Sequence, residues 1–156
     1  GTKAACTGAD VRVKYFMNIY AVAHYGDAAA WPKQQKPAER LQYLTDAKVA
    51  TAFVLVFTYE VSSDRIKTAW EEGLDNAGYK EAAKRTAFLS VFKDTMKKGD
   101  ELRFESLPDG ILNAIHNKKT LGSWKDPEMV RAIWSIWMGD KTVAKNRENL
   151  VSRTAP

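Results

Sequence analysis

The chain has 156 residues, 45% apolar and 28% charged, with a formal charge of +5 and a single cysteine. That length builds one domain, residues 1–156, which buries roughly two thirds of its unfolded surface and needs no disulfide. No apolar run approaches the roughly 20 residues of a bilayer crossing, and the 24 basic residues are mixed with 19 acidic ones without any aromatic-interleaved basic block, which argues against a membrane span and a nucleic-acid face.

The first patterned stretch is GADVRVKYFMNIYAVAHYGD, residues 8–27. Val11, Val13, Tyr15, Met17, Ile19, Ala21, Ala23 and Tyr25 alternate along it, which predicts a strand with its odd-numbered positions in the core. Arg12, Lys14, Phe16, Asn18, Tyr20, Val22 and His24 take the other face, which meets either solvent or a pocket. Strict alternation keeps Lys14 beside Arg12, whereas a bulge near residues 13–16 turns it outward.

Residues 31–46, with two prolines, connect this region to AKVATAFVLVFTYEV (47–61), whose nearly unbroken apolar run predicts a central strand buried on both faces. Ser62-Ser63-Asp64 caps a helix carrying Ile66, Trp70 and Leu74, closed by Asn76 and Gly78. A second helix is expected over 80–98, striped by Phe88, Val91, Phe92, Thr95 and Met96. ELRFESL (101–107), GILNAIHN (110–117) and TLGSW (120–124) predict an antiparallel meander turned at Pro108-Asp109-Gly110 and Asn117-Lys118. Asp126-Pro127 opens a last helix with Met129, Val130, Ile133, Trp134 and Trp137 on one side and Gly139 at its end. The polar tail from Lys141 has weak helical potential. This order gives an α+β domain, a mainly antiparallel sheet with helices on one face.

The residues by themselves name no catalytic constellation. A phosphate-cradling glycine loop, a nucleophile elbow and paired histidines at metal spacing are all missing from the sequence, so neither a cofactor nor a metal is expected. His24 and His116 are expected to be structural, Cys6 an ordinary strand residue, and Glu71-Glu72 solvated helix surface. Trp70, Trp124, Trp134 and Trp137 sit at core-compatible positions and imply rigid walls between sheet and helices, where a pocket for a flat or extended apolar ligand forms.

Four stretches together resemble the chalcone isomerase-like family, particularly its bacterial members: GADVRVKYFMNIYAVAHYG, FVLVFTYEVSSDRIKTAWEEGLDNAG, KKGDELRFESLPDGILNAIHNKKTLGSW and DPEMVRAIWSIWMGDKTV. In order and spacing they cover most of the chain from Gly8 to Val143. The resemblance implies an open-faced β-sandwich, a large antiparallel sheet covered by a layer of helices with a ligand cleft between. In the family's plant enzymes an arginine just after a GAG-like turn meets the substrate's ionised oxygen, and Arg12 in GADVR stands at the matching place. A guanidinium stays charged and offers a planar fork of donors. Tyr20 replaces the family's threonine eight residues on, on the same strand face.

The family's tyrosine, lysine and asparagine on the first of these helices fall at Ile66, Ala69 and Gly73, and its alcohol on the last helix at Ile136. Such residues supply no donors to orient a ketone and an attacking phenolate. The resemblance therefore implies a chalcone isomerase-fold protein without flavonoid cyclase activity. Non-catalytic members bind fatty acids through the arginine and a tyrosine, which makes Arg12 and Tyr20 the implied ligand-binding residues for a fatty acid or another small apolar anion. Two alternatives stay open: an isomerase (intramolecular lyase) acting on another conjugated phenol, and an accessory protein with a filled cleft and Arg12 in a surface ion pair. The oligomeric state is open. The implied location is periplasmic or secreted. Bacterial members carry a signal peptide and an extra strand before the GAG turn, neither of which precedes Gly8 here, which implies a truncated or replaced first strand.

Overall fold

The computed structural model describes residues 4–31, 33, 36–46 and 50–154. The stretch expected as one strand is a hairpin of β1 (Ala4–Lys14) and β2 (Met17–Asp27). It reverses at Tyr15 and Phe16, whose φ angles of 51° and 63° are the left-handed pair of a two-residue turn. A turn this short, built from aromatics, leaves the apolar alternation unbroken and so is invisible to pattern reading. The GAD of GADVR lies inside β1 with a register shift between Cys6 and Gly8, so the expected turn is a bulge within a strand.

The expected core parity is reversed. β2 buries its even positions Tyr20, Val22 and His24, while Ala21 is exposed and Ile19, Ala23 and Tyr25 are half-buried. The helices cover the face with the larger side chains, and the outer face of an open sheet tolerates alanines in water. A second register shift, between Arg12 and Val13, brings Arg12 opposite Tyr20 and leaves Lys14 exposed opposite Met17.

The connection to the next strand contains a helix that its prolines conceal, α1 (Pro37–Asp46), with Pro37 at its first position and Leu41 and Leu44 buried. β3 (Thr51–Phe57) buries Phe53, Leu55 and Phe57 inward, but Val56 on its outer face is 40% exposed, so two-sided burial does not extend along the strand. Residues 47–49 of the expected strand lie outside the described residues. Helix α2 (Ser63–Asn76) follows, with the Ser62 hydroxyl accepting from the Arg65 amide at 3.3 Å and Ile66, Trp70, Gly73 and Leu74 buried.

Helix α3 (Ala82–Leu89) is about half the expected length. Phe92 and Met96 are buried by a loop instead, Met96 exchanging two 2.8 Å backbone bonds with Val61. The four-residue spacing of Phe88, Phe92 and Met96 mimics a helix, while β-branched Val91 and Thr95 and the Val61 pairing favour the loop. The meander forms as expected: β4 (Glu101–Leu107), β5 (Ile111–His116) and β6 (Lys119–Lys125). The six strands lie in sequence order, every neighbouring pair antiparallel.

Helix α4 (Pro127–Met138) is capped by Asp126, whose carboxylate accepts from the Met129 amide at 3.1 Å and from the Tyr79 hydroxyl. Its Trp134 and Trp137 join Phe53, Trp70 and Phe104 in a tilted and edge-to-face ring cluster, with neighbouring centroids 4.7–6.0 Å apart. The polar tail is part of the fold. Ala144 bridges Arg12, Lys145 donates to the Val11 carbonyl at 3.0 Å, and a 3₁₀ segment (Arg147–Thr154) buries Leu150 and Val151 against β1. Gly8 lets it approach, because a β-carbon there would overlap the Asn149 carbonyl oxygen. Among the described residues no helix is long and apolar enough to cross a membrane.

Candidate functional site

A cleft of about 1260 Å³ lies between the β1–β2 hairpin, the end of β3 and helices α1, α2 and α4. Its buried lining includes Phe57 from β3, Ile66 and Gly73 from α2 and Ile136 from α4, together with the polar-tipped Tyr20, Tyr79 and Trp70, whose Nε1 finds no hydrogen-bond partner among the described residues. Ala69 and Trp70 complete the α2 wall. Each of the positions where the resemblance puts a lost polar group, Ile66, Ala69, Gly73 and Ile136, therefore lines one cavity. Charged side chains of the lining, such as Arg65, Glu72, Arg131 and Lys141, are exposed and form the outer part of the cleft.

Arg12 and Tyr20 meet on the sheet side of this cleft as cross-strand partners. The Arg12 guanidinium is half-buried and donates to the Val13 carbonyl at 3.3 Å. Among the described residues it forms no ion pair with any carboxylate. Among these residues, Arg12 lacks the surface ion pair that the accessory-protein alternative requires.

Tyr20 is 6% exposed, and its Oη accepts a 3.0 Å bond from Trp137 Nε1. An indole N–H can only donate, so the tyrosine's own hydrogen is left for a further acceptor. Burial pushes the Tyr20 pKa up to about 12, against the opposing pulls of the Trp137 bond and the Arg12 charge. The site thus offers a permanent cation and a neutral hydroxyl donor side by side. Chemically that pair suits an oxyanion whose remaining bulk is apolar, since charge-assisted bonds hold the head and Ile66, Ala69, Gly73 and Ile136 offer the rest no polar side chain.

Of the other singled-out residues, His24, His116, Cys6 and Glu71 do not line the cleft. His24 is fully buried beneath the sheet's tail segment, with Nδ1 2.8 Å from the Thr7 hydroxyl, and burial lowers its pKa to about 3. His116 lies 2.9 Å from Asp100, whose pKa is held at about 2, chiefly by bonds from Asn117 and the Lys97 amide. Cys6 is free and bonds the Gly8 carbonyl at 3.4 Å. Glu71 and Glu72 are exposed, Glu72 at the cleft's outer part. Among the described residues no group of three His, Cys, Asp or Glu side chains is placed to hold a metal ion.

Two features escape sequence reading. Trp137 reads as core from its helical spacing, and nothing local signals a partner 117 positions away. Gln42 and Thr45 line the cleft from α1, a helix hidden in a proline-bearing connection.

The family described as chalcone isomerase-like matches the chain over residues 2–149. No curated protein matches it in sequence. Among solved structures, the crystal structure of an Arabidopsis thaliana fatty-acid binding protein superposes with a TM-score of 0.83 at 16% identity, covering 99% of this chain and 90% of that one. Likeness at that identity carries the fold, and the fold is the α+β open-faced arrangement of an antiparallel sheet under a helix layer. With the match spanning nearly its whole length, the chain belongs to the chalcone isomerase-like family.

Proposed function

We propose that the cleft binds a fatty acid or another small apolar anion, with Arg12 pairing the anionic head, Tyr20 donating to it, and the tail lying along Ile66, Ala69, Gly73 and Ile136. The observation that carries this reading is the Arg12–Tyr20 pair: a guanidinium that pairs with no carboxylate among the described residues, beside a hydroxyl with an uncommitted hydrogen, in a cleft that Ile66, Ala69, Gly73 and Ile136 also line. A volume of about 1260 Å³ exceeds the roughly 300–1,000 Å³ of ordinary small-molecule pockets, as an elongated tail would need. The structural likeness to a fatty-acid binding protein supports the same reading.

The same wall argues against flavonoid cyclisation, which needs oriented donors that these positions lack. A periplasmic or secreted location belongs to the reading through the resemblance to bacterial family members alone.

Native mass spectrometry and lipid extraction of the purified protein test the proposal. An acid should co-purify and be lost in Arg12→Ala, with fatty-acid affinity falling about 10- to 150-fold if one charge-assisted bond goes. No bound acid and no thermal shift with added fatty acids would remove it. Incubation with a chalcone panel should give a rate equal to buffer; a faster rate restores the isomerase alternative.

A further inference from the structure

Two hairpins of the sheet turn on residue pairs in the left-handed region, Asn117-Lys118 (φ 46° and 69°) and Tyr15-Phe16 (φ 51° and 63°). The first pair follows the chemistry of such turns, opening on asparagine. The second does not, because bulky aromatics at positive φ are strained outliers that persist only where something compensates them. Packing within the chain does not compensate here. Tyr15 is 81% exposed, Phe16 is wholly exposed, and the neighbouring Met17 is exposed too. The Lys14 ammonium lies 5.6 Å from the Tyr15 ring centroid.

The surroundings of this tip are basic. Residues 11–22 carry Arg12 and Lys14 and no acid. The tail beside β1 adds Lys141 and Lys145, and among the described residues neither these nor Lys14 pairs with a carboxylate. Acids of the cleft lining such as Glu60 and Glu72 come from other elements, and Asp140, next to Lys141, pairs with Arg147 at 3.1 Å. A stable protein–protein contact buries about 800 Å² on each partner, which three side chains at a two-residue turn do not supply. A bilayer asks for less: an apolar tip to enter the interface, an aromatic hydroxyl at headgroup depth, and cations for the phosphates.

We infer that the Tyr15-Phe16 tip docks the protein on an anionic lipid bilayer, Phe16 and Met17 entering the interface while Lys14 and Lys141 meet lipid phosphates. Lys14, Tyr15 and Met17 also line the cleft, so docking would set its mouth against the membrane surface. Docking is independent of what the cleft holds, and it tests separately from acid binding.

The decisive variant is Tyr15→Asn with Phe16→Gly, which installs an ordinary turn. Relief of the strain should raise Tm by roughly 2–4 °C, while co-sedimentation with phosphatidylglycerol vesicles falls at least tenfold, so lost docking cannot be blamed on lost folding. Wild-type protein should bind phosphatidylcholine vesicles more weakly, and about 0.5 M sodium chloride should reduce its binding to the anionic ones. Equal partition of variant and wild type, or no partition of wild type onto anionic vesicles, would overturn the inference. So would self-association of the wild type that the variant lacks, seen by sedimentation velocity without vesicle binding, since the tip would then serve a second copy.

Discussion

A β-carbon at Gly73 would stand 2.5 Å from Cγ1 and 2.6 Å from Cδ1 of Ile136. The α2 and α4 walls of the cleft share one space, filled from the α4 side, so a polar side chain at 73 is excluded as long as isoleucine occupies 136. Gly73→Asn should cost about 1–3 kcal/mol by overpacking. Adding Ile136→Ala should return part of that, with a coupling of about 0.5–3 kcal/mol between the two changes. Urea denaturation of the four proteins measures it, and strict additivity would show that the walls do not compete.

Tyr20 ties the sheet side of the cleft to α4 through Trp137. Tyr20→Phe should lower stability by about 1–3 kcal/mol, because Trp137 Nε1 is left buried without an acceptor. In wild type the folded phenol keeps its proton to about pH 12 while an unfolded one ionises near 10. The Tyr20 contribution to stability is therefore complete below pH 10 and is lost as the pH climbs towards 12. Tyr79 is pushed up further by burial and the Asp126 carboxylate. An ultraviolet titration should find these two ionising only together with unfolding.

His24 makes the opposite pH limit. Thr7 Oγ1 lies 2.8 Å from both His24 Nδ1 and the Leu150 carbonyl; with its proton on the carbonyl, Nδ1–H donates to it and Nε2 is left bare in the core. An unfolded histidine takes a proton near pH 6.5 and the folded one only at about 3. Stability is then full above pH 6.5 and falls as the pH drops, by up to about 5 kcal/mol near pH 3. His24→Phe, which keeps a ring against Phe53, should flatten the slope of thermal stability between pH 6 and about 4.

Gly8→Ala should displace the tail, because the new methyl overlaps the Asn149 carbonyl. Leu150 and Val151 leave their buried positions with it, and each such side chain is worth about 1.5–3 kcal/mol of burial. Amide exchange should accelerate in residues 144–154 and in β1 first, with the β4–β6 meander still protected.

Elements whose pattern is local were legible in the sequence: the strict alternation of β4, the Ser62 and Asp126 caps, and the Asn117 turn all form where their side chains predict. What was hidden depends on distant partners. Tyr15-Phe16 turns the chain without any turn residue, the spacing from Phe88 to Met96 is helical although the backbone is not, and the tail's few apolar residues gain meaning only against Gly8. The candidate site was legible to the same extent. Arg12 and Tyr20 were identifiable through the family resemblance, and both line the cleft, but the Trp137 bond that leaves the Tyr20 hydrogen uncommitted arises only from packing.

The tail also settles how the sheet ends. A strand at the margin of a sheet offers unpaired amides and carbonyls to any passing chain. On β1 the Arg12–Ala144 bridge and the Lys145–Val11 bond occupy that margin from within the molecule. At the opposite margin β6 begins and ends in lysine, and a register shift interrupts its pairing with β5. Both margins are thus guarded against edge-to-edge growth, one where the tail pairs with Val11 and Arg12 and the other by charge and irregularity, and truncation before Ala144 would expose the first as a seed for aggregation.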